Sequence, residues 1–118
     1  VKERGVHDCG AIYQRWIGGK GVGGKAPLRD ACGPTGTWQS FHIWFRAPRF
    51  ARDGRKTENA RFVKVLHNGI LIHSEVEVDG PTRASLEIAE AAMNPIMLQG
   101  DHGPVAFRNL RVRQLAKR

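Results

Sequence analysis

The chain lacks any long apolar run and contains only two cysteines. A membrane-spanning helix needs roughly eighteen or more consecutive apolar residues, so the sequence predicts no membrane span. Cys9 and Cys32 permit one internal disulfide at most. No secretory leader is present and the first residue is Val1 instead of methionine, so we expect that an upstream portion, with any targeting signal, has been removed.

Acidic residues are scarce beside basic ones, with Asp+Glu 11 against Lys+Arg 19 and a formal net charge of +8. This sign of charge favours an anionic partner, either nucleic acid or an acidic polysaccharide. The basic residues are scattered, however, with mild concentrations at residues 46–56 and 108–118, and no nucleic-acid-binding motif accompanies them. We therefore interpret the excess as a solvated basic face and predict no specific nucleic-acid partner.

Glycine is concentrated in residues 18–36, which include GGKGVGGKAP. No GKS or GKT ends this run, so we predict a long loop and not a phosphate cradle. Cys9 and Cys32 flank most of the loop, and a bridge between them would reduce the entropy of the unfolded chain. Two buried free thiols in a reducing compartment are the alternative. We predict the disulfide because the intervening stretch has few apolar residues to hold it in place.

The remaining patterns are typical of short strands in one ordered domain, since 118 residues with 41% hydrophobic and 25% charged residues suit a single globular unit. Residues 9–13 (CGAIY) and 37–46 (TWQSFHIWFR) predict two strands, the second with strict alternation. Residues 61–67 and 70–78 flank Asn68-Gly69, the pair typical of a tight hairpin turn.

The last third of the chain predicts one helix and two further strands. Residues 85–93 (SLEIAEAAM) suit about two helical turns, ended by Pro95. Strands are expected at residues 96–99 and 105–112. Six short strands with almost no helix predict an all-β fold, an antiparallel β-sandwich or jelly roll.

Candidate functional residues cluster on the turn between those last two strands. Gln99, Asp101 and His102 lie beside glycines, which allow a sharp turn and close approach to a ligand, and Arg108 and Asn109 follow on the next segment. Simpler structural roles exist for four of them. His102 can cap the turn by bonding local backbone, Asp101 is a common turn former, and Arg108 and Asn109 can tie adjacent strands together.

Aromatic and histidine pairs give two weaker hypotheses. Trp38 and Trp44 project from the same face of their predicted strand, where they form either a sugar-stacking platform or part of the core. His67 and His73 flank the hairpin turn and would approach each other across it, which suggests a metal site. A metal site needs a third ligand, and none stands at a recognisable spacing, so a structural role is the default.

Taken together, six blocks of the chain resemble the family of 3-keto-disaccharide hydrolase domains, which have a concanavalin-like jelly-roll fold. The blocks are CGAIY, GTWQSFHIWFRAPRF, DGRKTENARFVKVLHNGILIH, VEVDGPTR, PIMLQGDHG and VAFRNLRVR. They cover nearly the whole chain but map onto only the C-terminal half of the family domain. The resemblance therefore implies that residues 1–118 are a single domain fragment, preceded in the full protein by further strands.

The resemblance also implies an enzyme that cleaves glycosides already oxidised to a ketone at C3. A base removes the acidified C2 proton, the enolate is held by hydrogen-bond donors or by a divalent cation, and the C1 substituent is eliminated before water adds back. His102, Asp101 and Arg108 are the implied catalytic residues. Gln99, Asn109, Trp38 and Trp44 are the implied contacts to the carbohydrate substrate.

A non-catalytic carbohydrate-binding module is the alternative, because jelly rolls serve as lectins as readily as hydrolases. We expect a periplasmic or secreted protein, although no signal is present in this chain.

Overall fold

The fold is built from antiparallel β-strands, and the computed structural model describes residues 4–116. The strands are β1 Arg15–Ile17, β2 Lys20–Val22, β3 Phe41–Arg46, β4 Arg49–Phe50, β5 Lys56–Glu58, β6 Ala60–His67 and β7 Ile70–Val78. β3, β6 and β7 form a three-stranded sheet in that order, while β1–β2 and β4–β5 are separate two-stranded ribbons. Residues 4–116 form no helix, and so none that could cross a membrane. The predicted all-β antiparallel class is confirmed.

The hairpin of β6 and β7 is the longest pairing in the molecule and matches the sequence prediction almost residue for residue. Its turn residues Asn68 and Gly69 have φ angles of 50° and 79°. Both values are left-handed, as a type I′ turn requires, and an asparagine followed by glycine adopts them at low cost. The turn chemistry therefore sets the pairing next to the turn, and a register shift between Val65 and Leu66 then moves the rest of the pairing by one residue.

The Asn68 side chain also attaches this turn to the loop before β3. Its Oδ1 accepts a hydrogen bond from the Ser40 backbone N–H at 2.9 Å. Its Nδ2 donates to the Ala31 carbonyl at 2.8 Å and to Gln39 Oε1 at 2.6 Å. Because residues 31–40 form no strand, these bonds to Asn68 help fix their position against the sheet.

One face of the three-stranded sheet is apolar, and the opposite face carries a mixture of polar, charged and aromatic side chains. On the apolar face Phe41 is paired with His67, Ile43 with Val65, and Phe45 with Phe62. The first pair is stacked at 4.2 Å between ring centroids, and the last pair is tilted at 5.0 Å. On the opposite face Trp44 stacks on His42 at 3.9 Å, with the Lys64 ammonium 5.0 Å from its ring. The alternation predicted for β3 is thus present.

The glycine-rich loop is more ordered than the sequence predicts. Its start forms a hairpin with the preceding residues: β1 pairs with β2, and the two strands are joined by Gly18 and Gly19 with φ angles of 59° and 77°. These two glycines supply a tight turn with positive φ at both positions, which the loop prediction overlooked. The strand predicted at residues 9–13 shrinks to one isolated bridge between Ile12 and Lys25.

The predicted helix and the last two predicted strands are wrong. Residues 85–93 form no helix, because two turns are too short to be stable in water without a packed apolar face, and Leu86 and Ile88 remain 55% and 50% exposed. Residues 96–99 and 105–112 form no strand. A strand exists only through its hydrogen-bonded neighbour, and none of the described strands lies beside these two segments.

The buried core is small for a chain of this size. Its central cluster consists of Ala31, Val65 and Ile72, with Phe62 packed against them, and Ile12 and Ala60 are also buried. The accessible surface is 9620 Å² for 13.1 kDa, whereas a compact domain of that mass exposes roughly 6,400 Å². Phe41, Ile43 and Phe45 are each about half exposed, so the apolar face of the sheet is only partly covered.

The Asn68 bonds predict a clear stability effect. In Asn68→Gly the left-handed backbone is retained while three side-chain hydrogen bonds are lost, so we expect the free energy of unfolding to fall by about 2–3 kcal/mol in urea denaturation. Asn109→Gly is the matched control, because Asn109 has a similar φ of 55° but is exposed and makes no side-chain hydrogen bond within residues 4–116. It should change stability by less than about 0.5 kcal/mol. Equal losses in the two variants would contradict the role of the Asn68 side chain.

Candidate functional site

Three of the predicted site residues converge on the turn at residues 99–102. His102 Nδ1 lies 2.9 Å from Asp101 Oδ1. Gln99 Nε2 donates to the same carboxylate oxygen at 3.0 Å and lies 3.2 Å from His102 Nδ1. The hydrogen bond from His102, together with the one from Gln99, lowers the pKa of the Asp101 carboxyl. The turn therefore holds an ionised carboxylate between an imidazole and an amide.

The hydrogen bonds also determine which ring nitrogen of His102 is available. A carboxylate oxygen can only accept, so Nδ1 carries the proton that it donates to Asp101. In the neutral ring Nε2 then holds the lone pair. The side chains of His102 and Asp101 are 80% and 75% exposed. The imidazole is thus oriented by a carboxylate, with its second nitrogen open to an incoming molecule.

Two other predicted site residues meet each other elsewhere. The Arg108 guanidinium lies over the Trp38 indole, 3.8 Å from the ring centroid. This contact attaches the C-terminal segment to the loop before β3. Trp44 lies on the mixed face of the sheet, opposite the apolar one, between His42 and Lys64. Asn109 has left-handed backbone and is exposed, next to Arg108. No hydrogen bond or ring contact among the described residues links these residues to the turn at 99–102.

Two open grooves lie away from these residues. One, of about 420 Å³, is polar and lies at the end of the sheet. It is lined by Arg46, Lys56, Thr57, Glu58, Asn59, Arg61 and Glu77. The other, of about 390 Å³, runs along the apolar face of the sheet and includes Phe41, Ile43 and His73. None of the predicted catalytic or substrate-binding residues lines either groove.

The two cysteines lie close together beside a buried histidine. Both are free thiols, and their sulfur atoms and one ring nitrogen of His67 all lie within 4.8 Å of one another. Desolvation, a hydrogen bond with Cys32, and the charges of Cys32 and Asp30 raise the pKa of Cys9 to about 11. Burial lowers the pKa of His67, and the Asp30 carboxylate only partly opposes this effect. The disulfide between the two cysteines stays a prediction.

Gln39 fixes the orientation of the His67 ring. Its Oε1 accepts from the Gly33 backbone N–H at 2.9 Å and from Asn68 Nδ2 at 2.6 Å. His67 Nε2 lies 3.2 Å from the same oxygen and must therefore carry a proton to donate. His67 Nδ1 is buried and has no hydrogen-bond partner. Such an atom costs about 1–3 kcal/mol unless something satisfies it.

The structure separates the two histidines that the sequence suggested as a metal pair. His73 is buried and its Nε2 donates to the Gly10 carbonyl at 2.7 Å, so it supports the backbone next to Cys9. It does not belong to the group formed by Cys9, Cys32 and His67. Neither the contact of Gln39 with His67 nor the grouping of His67 with the two cysteines was predicted from the sequence, because these contacts join distant parts of the chain.

These features define an all-β domain with a carboxylate-oriented imidazole on an exposed turn. A family model described as "3-keto-alpha-glucoside-1,2-lyase-like domain" matches residues 2–113. The chain therefore belongs to that family, as its resemblance to 3-keto-disaccharide hydrolase domains suggested. No curated protein and no solved structure matches the chain.

The stack of Arg108 on Trp38 predicts a measurable coupling. A double-mutant cycle of Trp38→Leu and Arg108→Met should give a coupling free energy of about 0.5–1 kcal/mol in urea denaturation, because the cation lies over the ring face. The matched cycle of Trp38→Leu with Arg111→Met should give none. Coupling of equal size in both cycles would mean that the contact does not anchor the C-terminal segment.

Proposed function

We propose that this domain cleaves 3-keto-glycosides, including 3-keto-disaccharides, by elimination across C1 and C2 followed by hydration. Two findings support this proposal: the family to which the chain belongs, and above all the contact of His102 Nδ1 with Asp101 at 2.9 Å. That contact provides what proton abstraction next to a ketone needs, an imidazole with one nitrogen held by a carboxylate and the other left for the substrate proton.

In the proposed reaction, His102 Nε2 removes the proton from C2. The electron pair of that C–H bond forms the C2–C3 double bond of an enolate, and the negative charge rests on the C3 oxygen. When the enolate collapses, the C1–O bond breaks and a C1–C2 double bond forms. The leaving alkoxide takes a proton, and His102, protonated in the first step, is the natural donor. Water then adds at C1 and a proton returns to C2, which completes a net hydrolysis.

Asp101 and Gln99 position the base in this scheme. The ionised carboxylate keeps the proton on Nδ1 and stabilises the imidazolium that forms during C2 deprotonation, while Gln99 holds the carboxylate in place. Arg108 is the proposed stabiliser of the enolate, and a divalent cation is the other group that the family chemistry admits for this task. Trp38 and Trp44 are proposed to stack on the sugar, and Gln99 and Asn109 to bind its hydroxyls.

The proposed chemistry can be tested by isotope exchange at C2. The full-length protein is incubated with a 3-keto-glucoside in D₂O, and the products are analysed by NMR and mass spectrometry. Deuterium should appear at C2 of the released sugar, because that position loses its proton and later takes one from solvent. Release of sugar without deuterium at C2 would contradict the elimination route.

Substitution of the proposed base gives the matching prediction. His102→Ala should lower kcat by about 10²–10⁴-fold, the usual contribution of a positioned general base. Asp101→Asn should lower kcat less and leave binding of the keto-sugar unchanged. His7→Ala, an exposed histidine near the other end of the chain, is the control and should retain full activity.

Variants of His102, Trp38 and Trp44 distinguish an enzyme from a carbohydrate-binding module. A module would bind the keto-sugar without turnover in the wild-type protein, and its affinity would depend on Trp38 and Trp44 instead of His102. Activity that survives His102→Ala would remove this residue from the mechanism even if the protein is an enzyme.

A further inference from the structure

A second cluster, away from the turn at residues 99–102, has the composition of a metal site. Cys9, Cys32 and His67 come from three parts of the chain: the N-terminal loop, the end of the glycine-rich region and the last residue of β6. Their ligand atoms lie within 4.8 Å of one another. Thiolate sulfur and imidazole nitrogen are the ligands that zinc prefers in proteins.

The distances suit one ion with small adjustments. Zinc bonds to sulfur at about 2.3 Å and to imidazole nitrogen at about 2.0–2.1 Å, so tetrahedral ligands stand about 3.5–3.8 Å apart. The observed ligand atoms lie within 4.8 Å of one another, so they must approach by up to about 1 Å to reach this geometry. Both cysteines are exposed, and their side chains therefore have room to rotate into place. The imidazole is fully buried and provides the fixed member of the group.

The third ligand is already prepared for coordination. Because Gln39 Oε1 can only accept, it holds the proton of His67 on Nε2 and leaves the lone pair on Nδ1. A Cβ placed on Gly10 would lie 3.4 Å from this Nδ1, so the nitrogen faces the loop that carries Cys9. Metal-bound histidines commonly have their second nitrogen held in this way by an oxygen acceptor.

The unpartnered nitrogen favours a metal over a disulfide. A disulfide would join the sulfurs and still leave His67 Nδ1 buried without a partner, as it is now. A metal ion satisfies the nitrogen and both sulfurs together. The Asp30 carboxylate, which accepts a hydrogen bond from the Cys32 N–H at 3.2 Å, adds a nearby negative charge that favours a cation.

We propose that Cys9, Cys32 and His67 Nδ1 bind one zinc-type divalent cation, with Gln39 as the residue that orients the imidazole. The described residues supply three protein ligands, so water takes the fourth position. The ion ties the N-terminal loop and the glycine-rich region to the β6–β7 hairpin. This site is independent of the proposed reaction at His102.

Cobalt titration tests the site directly. The full-length protein is reduced, freed of metal with a chelator and titrated with Co²⁺, which reports thiolate ligation by charge-transfer absorption and tetrahedral geometry by its visible bands. We expect one Co²⁺ per chain, displaced by one Zn²⁺, and a higher Tm with either metal. Absence of the thiolate absorption, or a reduced protein that binds neither metal, would overturn the proposal.

Single substitutions assign the ligands. Cys9→Ser and Cys32→Ser should each abolish the thiolate absorption, or weaken it and lower the affinity for Co²⁺ by at least about 100-fold. Both positions are exposed. Circular dichroism checks that the variants fold. Gln39→Ala should lower affinity by about 10–100-fold, and Gln39→Glu should restore it, because a carboxylate also accepts from Nε2. His42→Gln, an exposed histidine outside the cluster, is the control. Unchanged cobalt spectra in both cysteine variants would contradict the assignment.

Discussion

The arrangement of the N-terminal half depends on one oxygen atom, Gln39 Oε1. Three donors from different parts of the chain converge on it: the Gly33 backbone, the Asn68 amide and the His67 ring. Asn68 in turn holds the Ala31 carbonyl and the Ser40 backbone. A long segment without regular structure is thus attached to the sheet by side-chain amides, which is why removal of a single amide is expected to be costly. The same oxygen holds the proton of His67 on Nε2, so Nδ1, the nitrogen on the side of Gly10 and the Cys9 loop, keeps its lone pair.

The same hydrogen-bonding arrangement occurs at two histidines of the molecule, in different surroundings. In both His67 and His102 an oxygen acceptor holds the proton on one ring nitrogen and leaves the lone pair on the other. His67 is fully buried, and its free nitrogen faces two thiols, so ligation of a metal is the natural use. His102 is largely exposed and its acceptor is an ionised carboxylate, which also stabilises the protonated ring. That combination suits a base that must gain and lose a proton.

Local signals in the sequence were sufficient at the Asn68-Gly69 turn and in β3. Asn68-Gly69 located the β6–β7 hairpin, and the alternation in residues 37–46 identified the faces of β3, whereas the register shift between Val65 and Leu66 had no local signal. The predictions were wrong where structure depends on distant partners. Residues 96–99 and 105–112 have strand-like composition, but a strand requires a neighbour that composition does not reveal. Gly18-Gly19 was the opposite case, since the local turn signal was present but was interpreted only as part of a long loop.

The candidate site follows the same division. The convergence of Gln99, Asp101 and His102 could be predicted because all three lie on one turn, whereas the stack of Arg108 on Trp38 could not, since these residues are far apart in sequence. The prediction that the chain is the C-terminal part of a larger jelly roll stays a prediction. Two observations agree with it. The apolar side chains of β3 are each about half exposed, and the imidazole of His102 faces water. Selective enolate chemistry needs walls that exclude solvent. The proposed reaction therefore requires two features that residues 4–116 do not show, a cover over the sheet and a wall around His102.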